Sequence, residues 1–399
     1  MAAPVKQGAM EASVRERLLA RNPVCARFFE REAPRLAEAC RAMSERFLDG
    51  GRLLAFGRGP HFTDAQHVSV EFVHPVIVGK RALPALDISM LFRPWLDAIL
   101  QPADIVMGFS PPEGDAAIDA ALRDADRRGA MTLALSGPAG AYRCEPASGD
   151  PFIHQEVIEI LYHTLWETVH VFLERRELGL DAGQAGFLYP FLGRQEQPPG
   201  DVAAEVAASI LLKVRDDDAL RSRLAAEEAG RIGEAVLAMR RRIDRGGKLI
   251  LFGNGGSATD ANDFAIDCVL PPPGYQPVPA VSIALEPANI TAIANDVGAE
   301  VVFTRQLIAQ ARPDDIAVAF STSGGSRNII QALEEARKRG LLTVALLGYD
   351  GGEIVRGALA DYPLVARSDY IPRIQEAQAS VYHTMREMLE AARPERTHA

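Results

Sequence analysis

With 399 residues the chain is long enough for two ordinary domains, each burying its own core. Its composition is that of a soluble globular protein, and the formal net charge of −10 argues against nucleic acid or an anionic membrane as the main partner. Cys25, Cys40, Cys144 and Cys268 fall in no metal-ligand spacing and read as buried or free thiols of a reducing cytoplasm, and neither a secretory signal nor a membrane-spanning apolar run is recognisable.

The chain opens, over 11–49, with apolar residues at three- and four-residue spacing among many Arg and Glu, the pattern of long amphipathic helix ended by Gly50-Gly51. LLAF (53–56) then reads as a buried strand, followed by a Gly-rich turn and a new helix. That order is the unit of an open parallel α/β sheet. IVMGF (105–109) and MTLALS (131–136) are further strands around a helix over 115–128, and a helix over 153–176 closes this half. The segment 181–200 breaks both periodicities with Gly, Pro and aromatics and is the expected linker. The same series follows again: a helical stretch over 201–245, LILF (249–252) with its Gly-rich turn, IAVAF (316–320) and LTVALLG (342–348) around a helix over 326–339, and a closing helix over 373–392.

The repetition extends to the residues themselves. Segments 42–71 and 238–267 share, at constant offset, Ala42, Met43, Arg46, Gly50, Gly51, Leu53, Phe56, Gly57, Gly59, Thr63, Asp64 and Ala65. The expected architecture is therefore two tandem three-layer α/β/α domains, 1–180 and 201–399, each on a parallel sheet of about five strands. They should pair through their long helices about a pseudo-two-fold axis.

In the second copy Ser321, Thr322, Ser323, Gly324, Gly325 and Ser326 lie between a strand and a helix, where hydroxyls and free amides at a helix N-terminus suit a phosphate dianion. Taken alone, a Ser-rich turn with an N-cap would read the same way. The equivalent stretch of the first copy, FSPPEGDAAI, keeps Ser110 but brings Pro111, Glu113 and Asp115, which disfavour a phosphate.

Five motifs in one order, FGNGGSATDA (252–261), IANDVG (293–298), FSTSGGS (320–326), LLGYDGG (346–352) and RIQEAQ (373–378), resemble the sugar isomerase (SIS) domain family, and within it the phosphoheptose isomerases. The resemblance spans about 201–392 strongly and about 30–176 more weakly. It implies that Ser257, Ser321, Thr322, Ser323 and Ser326 bind a sugar phosphate.

The family's catalytic centre is similar to HxxxE on the helix after the Gly loop, with Gln and His eight residues apart on the closing helix. Here these are His67 and Glu71, then Gln155 and His163; the second copy has Asp263 and Asp267 with Gln375 and His383 as its counterparts. An i, i+4 pair shares one helix face. Residues eight apart are separated by about 12 Å along the axis, so Gln155 and His163 meet at one ion only if the helix start is frayed or another copy completes the set. The resemblance implies a ketose–aldose isomerase acting on a phosphosugar such as sedoheptulose 7-phosphate at a composite site. Glu71 would be the base, His163 the acid, and a divalent metal, zinc, would be held by His67, Glu71, Gln155 and His163. It also implies self-association through the SIS helices, a homodimer forming a pseudo-tetramer. A non-catalytic module that senses a sugar phosphate or scaffolds a partner is the alternative, favoured by Arg58-Gly59-Pro60-His61 in place of an NGGS-type loop and by Pro372 where the isomerases carry Asp.

Overall fold

The computed structural model describes residues 7–76, 80–178 and 199–393. The expected linker lies outside the described residues except for Pro199 and Gly200, which begin a helix.

Two helices open the chain, α1 (Gln7–Ala20) and α2 (Asn22–Leu48). The single stretch expected over 11–49 is thus divided near Arg21, where Pro23 follows and lacks the N–H that a continuing helix would use. The first copy continues with β1 (Leu53–Gly57), α3 (Phe62–Val73), β2 (Ala85–Asp87), α4 (Phe92–Ile99), β3 (Ile105–Phe109), α5 (Ala116–Arg127), β4 (Met131–Leu135), β5 (Tyr142–Arg143) and α6 (Pro151–Leu178). The second copy has α7 (Pro199–Glu227), α8 (Ala229–Ile243), β6 (Leu249–Phe252), α9 (Gly256–Val269), β7 (Ala280–Ser282), α10 (Pro287–Asp296), α11 (Val302–Gln310), β8 (Ile316–Ser321), α12 (Arg327–Lys338), β9 (Leu342–Gly348), α13 (Gly352–Arg356), β10 (Tyr362–Ala366) and α14 (Ile371–Ala391).

Each copy builds one five-stranded sheet, ordered β2-β1-β3-β4-β5 in the first and β7-β6-β8-β9-β10 in the second, and the strand pairs are parallel throughout. Strands buried on both faces read as unbroken apolar runs, which is why LLAF and LILF carry no polar alternation. Leu53 and Ala55 pack with helices α2, α3 and α6, whereas Leu54 and Phe56 pack with α4 and α5. The second copy repeats the two layers: Leu249 and Leu251 face α8, α9 and α14, and Ile250 and Phe252 face α11 and α12.

The compact units differ from the boundaries expected from sequence. Among the described residues, those within 23–218 form one unit, and 7–22 with 219–393 form the other. Met10, Val14 and Leu18 of α1 pack into the second copy's core, and Val206, Ile210 and Val214 of α7 pack into the first copy's. The expected helix over 201–245 is likewise two helices, broken at Glu228.

In this strand order the crevice between β1 and β3, and its counterpart between β6 and β8, is the point where the chain reverses direction across the sheet. The loops after those strands are therefore the natural ligand loops. Gly57 fixes one of them: a Cβ there would lie 2.0 Å from the His61 carbonyl oxygen, so α3 can start against the strand only over a glycine. Gly253 does the same in the second copy, 2.2 Å from the Ser257 carbonyl oxygen. Gly57→Ala is expected to destabilise the protein by about 1–3 kcal/mol through overpacking, read as a lowered urea midpoint. An unchanged midpoint would contradict the close approach.

Candidate active site

Within the unit 23–218, α3 lies against α6 and brings two histidines face to face, with His163 Nε2 3.3 Å from His67 Nε2. Glu159, one helical turn before His163, completes a cluster in which the three ligand atoms lie within 4.8 Å of one another. Glu71, one turn after His67 on α3, places Oε1 3.8 Å from His67 Nε2. The Tyr162 ring packs beside both imidazoles. All of these side chains are buried, Glu71 being only 1% exposed, and burial pushes its carboxyl up to about 8. Two imidazoles and a carboxylate converging in a dry site make a donor set suited to zinc or a similar first-row ion.

Gln155 does not join this cluster. It lies inside α6, where its Nε2 donates to Asp64 Oδ2 at 3.3 Å and more weakly to Thr63 Oγ1 at 3.5 Å. The helix start is not frayed, so two turns of α6 separate Gln155 from His163, and Glu159 stands where the glutamine was expected. Asp64 is also 3.0 Å from His61 Nδ1, which forms a buried His–Asp pair at the head of α3. His154 packs nearby: its Nδ1 accepts the Ala147 N–H, so the proton sits on Nε2, which donates to the Ser110 carbonyl.

The degenerate loop of the first copy is closed by its own side chains. Asp115 caps α5 by accepting from the Ala117 and Ile118 N–H groups, and Arg58 pairs with the same carboxylate at 2.9 Å. A carboxylate and a guanidinium already occupy the helix terminus that a phosphate would need.

In the second copy the corresponding terminus carries no such plug. Ser326 begins α12 without a side-chain cap, while Ser321 Oγ accepts from Gly324 N–H and Ser323 Oγ from Gly325 N–H. Thr322 is half-buried on the same loop. Ser257 lies in the first turn of α9, and reciprocal amide bonds between Asn254 and Asn328 tie that Gly loop to α12. The loop is packed too tightly for side chains: a Cβ on Gly324 would meet the Gly351 carbonyl oxygen at 2.2 Å.

The second copy's acid–base positions also converge. His383 Nε2 is 3.3 Å from Asp263 Oδ2 and 3.2 Å from Asp267 Oδ2, and Tyr382 donates its hydroxyl proton to Asp263 at 2.8 Å. Burial, and then the neighbouring Asp263, raises Asp267 to about 6. Gln375 is buried on α14 two turns before His383. The position matching Glu159 is Ala379, so this copy replaces a carboxylate on the closing helix with two on α9.

A family model described as SIS domain matches residues 215–348. The phosphoheptose isomerase of Trichlorobacter lovleyi is 39% identical over 185 residues, an alignment covering 45% of this chain and 92% of that protein. The chain belongs to the SIS family. The phosphoheptose isomerase of Sulfurimonas denitrificans is 43% identical over 144 residues, 36% of this chain and 73% of its own. Among solved structures, the C-terminal domain of glucosamine-fructose-6-phosphate aminotransferase from Francisella tularensis superposes with a TM-score of 0.63 at 8% identity. That match covers 95% of this chain and 96% of the other, a likeness of fold alone.

Against the SIS pattern, two departures noted in the sequence acquire local reasons. Pro372 sits in the first turn of α14, where its missing N–H costs no helical bond. Arg58 and His61 replace loop polar groups with groups that pair within the chain, Arg58 at the surface and His61 in the interior. Glu159 is not among the residues expected from the sequence, although its spacing to His163 is the HxxxE pattern reversed on the closing helix.

Burial drives His154 down to about 3 from its usual 6.5, so the folded protein holds it neutral. Because the folded value is depressed, its contribution to stability is present above about pH 6.5 and is lost as pH falls towards 3, by up to about 1.4 kcal/mol per pH unit. His154→Gln should therefore be less stable than the parent at pH 8 but converge on it by pH 5. A constant difference in urea-unfolding free energy across that range would refute this account.

Proposed function

We propose that this SIS protein is a ketose–aldose isomerase of sugar phosphates, with a heptose 7-phosphate pair as its substrate and the acid–base chemistry carried by the first copy. The observation that carries this reading is the convergence of His67, Glu159 and His163 beside a buried Glu71 whose proton affinity is raised to the neutral range. A module that only binds a ligand has no need of such a group, because stranding a carboxyl in a dry interior costs stability. Its identity to phosphoheptose isomerases over nearly half its length supports the substrate class.

In this reaction a base removes the proton from the carbon next to the carbonyl, and the enediol is reprotonated at the adjacent carbon. Glu71 is assigned as the base. Its carboxyl lies on the same face of α3 as His67, one turn on, which sets it beside the three donors. His163, whose Nε2 faces that of His67, is assigned to the metal donors, with Tyr162 packed against its ring to hold it in place. His67, Glu159 and His163 would hold the divalent ion, zinc, which when bound supplies Lewis-acid polarisation of the carbonyl and hydroxyl oxygens. Because these side chains are buried, substrate reaches them only in a conformation in which the surrounding helices open. A sugar phosphate is assigned to the second copy's loop, Ser321, Thr322, Ser323 and Ser326 with Ser257, where hydroxyls and amides at a helix N-terminus suit the dianion.

With sedoheptulose 7-phosphate as substrate, Glu71→Gln should lower kcat by about 10²-fold or more through loss of the base. His67→Ala should lose both turnover and bound metal by elemental analysis. Ser323→Ala should weaken phosphosugar binding by about tenfold with a much smaller effect on kcat. A protein that purifies without metal, turns over no phosphosugar when zinc is added, and binds one equally well after Glu71→Gln would instead be the sensing module.

A further inference from the structure

The unit 23–218 also contains an open cavity of about 600 Å³ at the carboxyl ends of β3, β4 and β5, lined by the loops after those strands and by α2. That volume is within the range of small-molecule sites. It is distinct from the His67 cluster, since none of His67, Glu71, Glu159 or His163 lines it.

Three arginines face this cavity, Arg31 and Arg35 from α2 and Arg143 from β5. The first two are held in place from behind. Fully buried Glu32 accepts from Arg31 Nε at 2.8 Å and from Arg35 Nη1 at 2.9 Å, with a third bond from the Tyr142 hydroxyl at 3.1 Å. Arg31 lies over the Phe28 ring and Arg35 over the Tyr142 ring. Arg35 Nη2 also donates to the Arg143 carbonyl at 2.8 Å, and both arginine side chains are nevertheless 47% exposed, so each is oriented and reachable from solvent. Fixing a guanidinium in advance lowers the entropy lost when it binds an anion. The Arg143 side chain is exposed and has no ion-pair partner among the described residues.

Two further features point to an absent ligand. Ser136, on the loop after β4, lines the cavity, is 1% exposed and has an Oγ with no hydrogen-bond partner. Such an orphan hydroxyl is costly unless something meets it. Glu145 is 86% exposed and only 3.9 Å from Arg31, a loose contact that an incoming anion can displace. Glu113 and Glu145 also line the cavity, which gives the hydroxyl groups of a ligand two carboxylate acceptors beside the arginines.

We propose that this cavity is a second ligand site, separate from the candidate active site, and that it takes a phosphate monoester with a hydroxylated body. Arg31, Arg35 and Arg143 meet the phosphate, and Glu113 and Glu145 accept from the hydroxyls. The proposal does not depend on the isomerase reading.

Ribose 5-phosphate titrated into the full chain by calorimetry tests it, using the parent, Arg143→Glu, Arg143→Gln and Ser323→Ala. The parent is expected to bind two equivalents. Arg143→Glu and Arg143→Gln should weaken one of them by about tenfold or more while leaving sedoheptulose 7-phosphate turnover and the melting temperature unchanged. Ser323→Ala should weaken only the other. Isotherms of both Arg143 variants that superimpose on the parent's, or a single equivalent that Ser323→Ala removes, would overturn the site. Citrate binding as tightly as ribose 5-phosphate, and lost in both Arg143 variants, would overturn the assignment to a phosphate. Absence of turnover with the Arg143-dependent equivalent intact would count against the isomerase reading alone.

Discussion

The carbonyl oxygen that starts α3 lies where Gly57 would carry its Cβ, and the same contact recurs at Gly253 with α9. Everything that bears on chemistry depends on that close approach. It fixes the angle at which the helix leaves the strand, and hence which turn of α3 meets α6 and which turn of α9 meets α14. The positions 10 and 14 residues after each glycine, His67 and Glu71 or Asp263 and Asp267, are thereby delivered to the closing helix with its histidine. A methyl group at either glycine would force the helix outward by about 1 Å to clear that carbonyl oxygen.

Upon this shared frame the two copies differ at the positions that bear on chemistry. Where the second copy keeps Ser257 and an uncapped α12, the first has His61 paired with Asp64 and an α5 terminus filled by Asp115 and Arg58. Where the first keeps His67 with Glu159, the second has Asp263 and Ala379. Two of the replacements are internally satisfied: His61 pairs with Asp64, and Asp263 accepts from the Tyr382 hydroxyl.

The buried groups are not what stability alone would select. Glu71 is held near 8 by burial, Asp267 near 6, and His154 near 3, each by desolvation as the main cause. Three such groups on the inner helices are a standing cost, offset by the apolar layers on both faces of each sheet.

Sheets, glycine loops and the duplication were legible in the sequence because their signals are local: unbroken apolar runs for strands buried on both faces, and glycines for close backbone approach. Candidate ligands on one helix, His67 with Glu71, were legible for the same reason, since an i, i+4 spacing fixes a common face. Which face of α6 meets α3 is not written in α6 alone, so Gln155 and Glu159, one turn apart, could be told from each other only once the helices had packed. Nor could the apolar stripe of α1 name its core. Periodicity says that Met10, Val14 and Leu18 must be buried, and only the tertiary structure assigns them to the second copy while giving Val206, Ile210 and Val214 to the first. Hydrophobic burial is non-directional, so a sequence determines that a stripe is covered, and the packing of the whole chain decides by what.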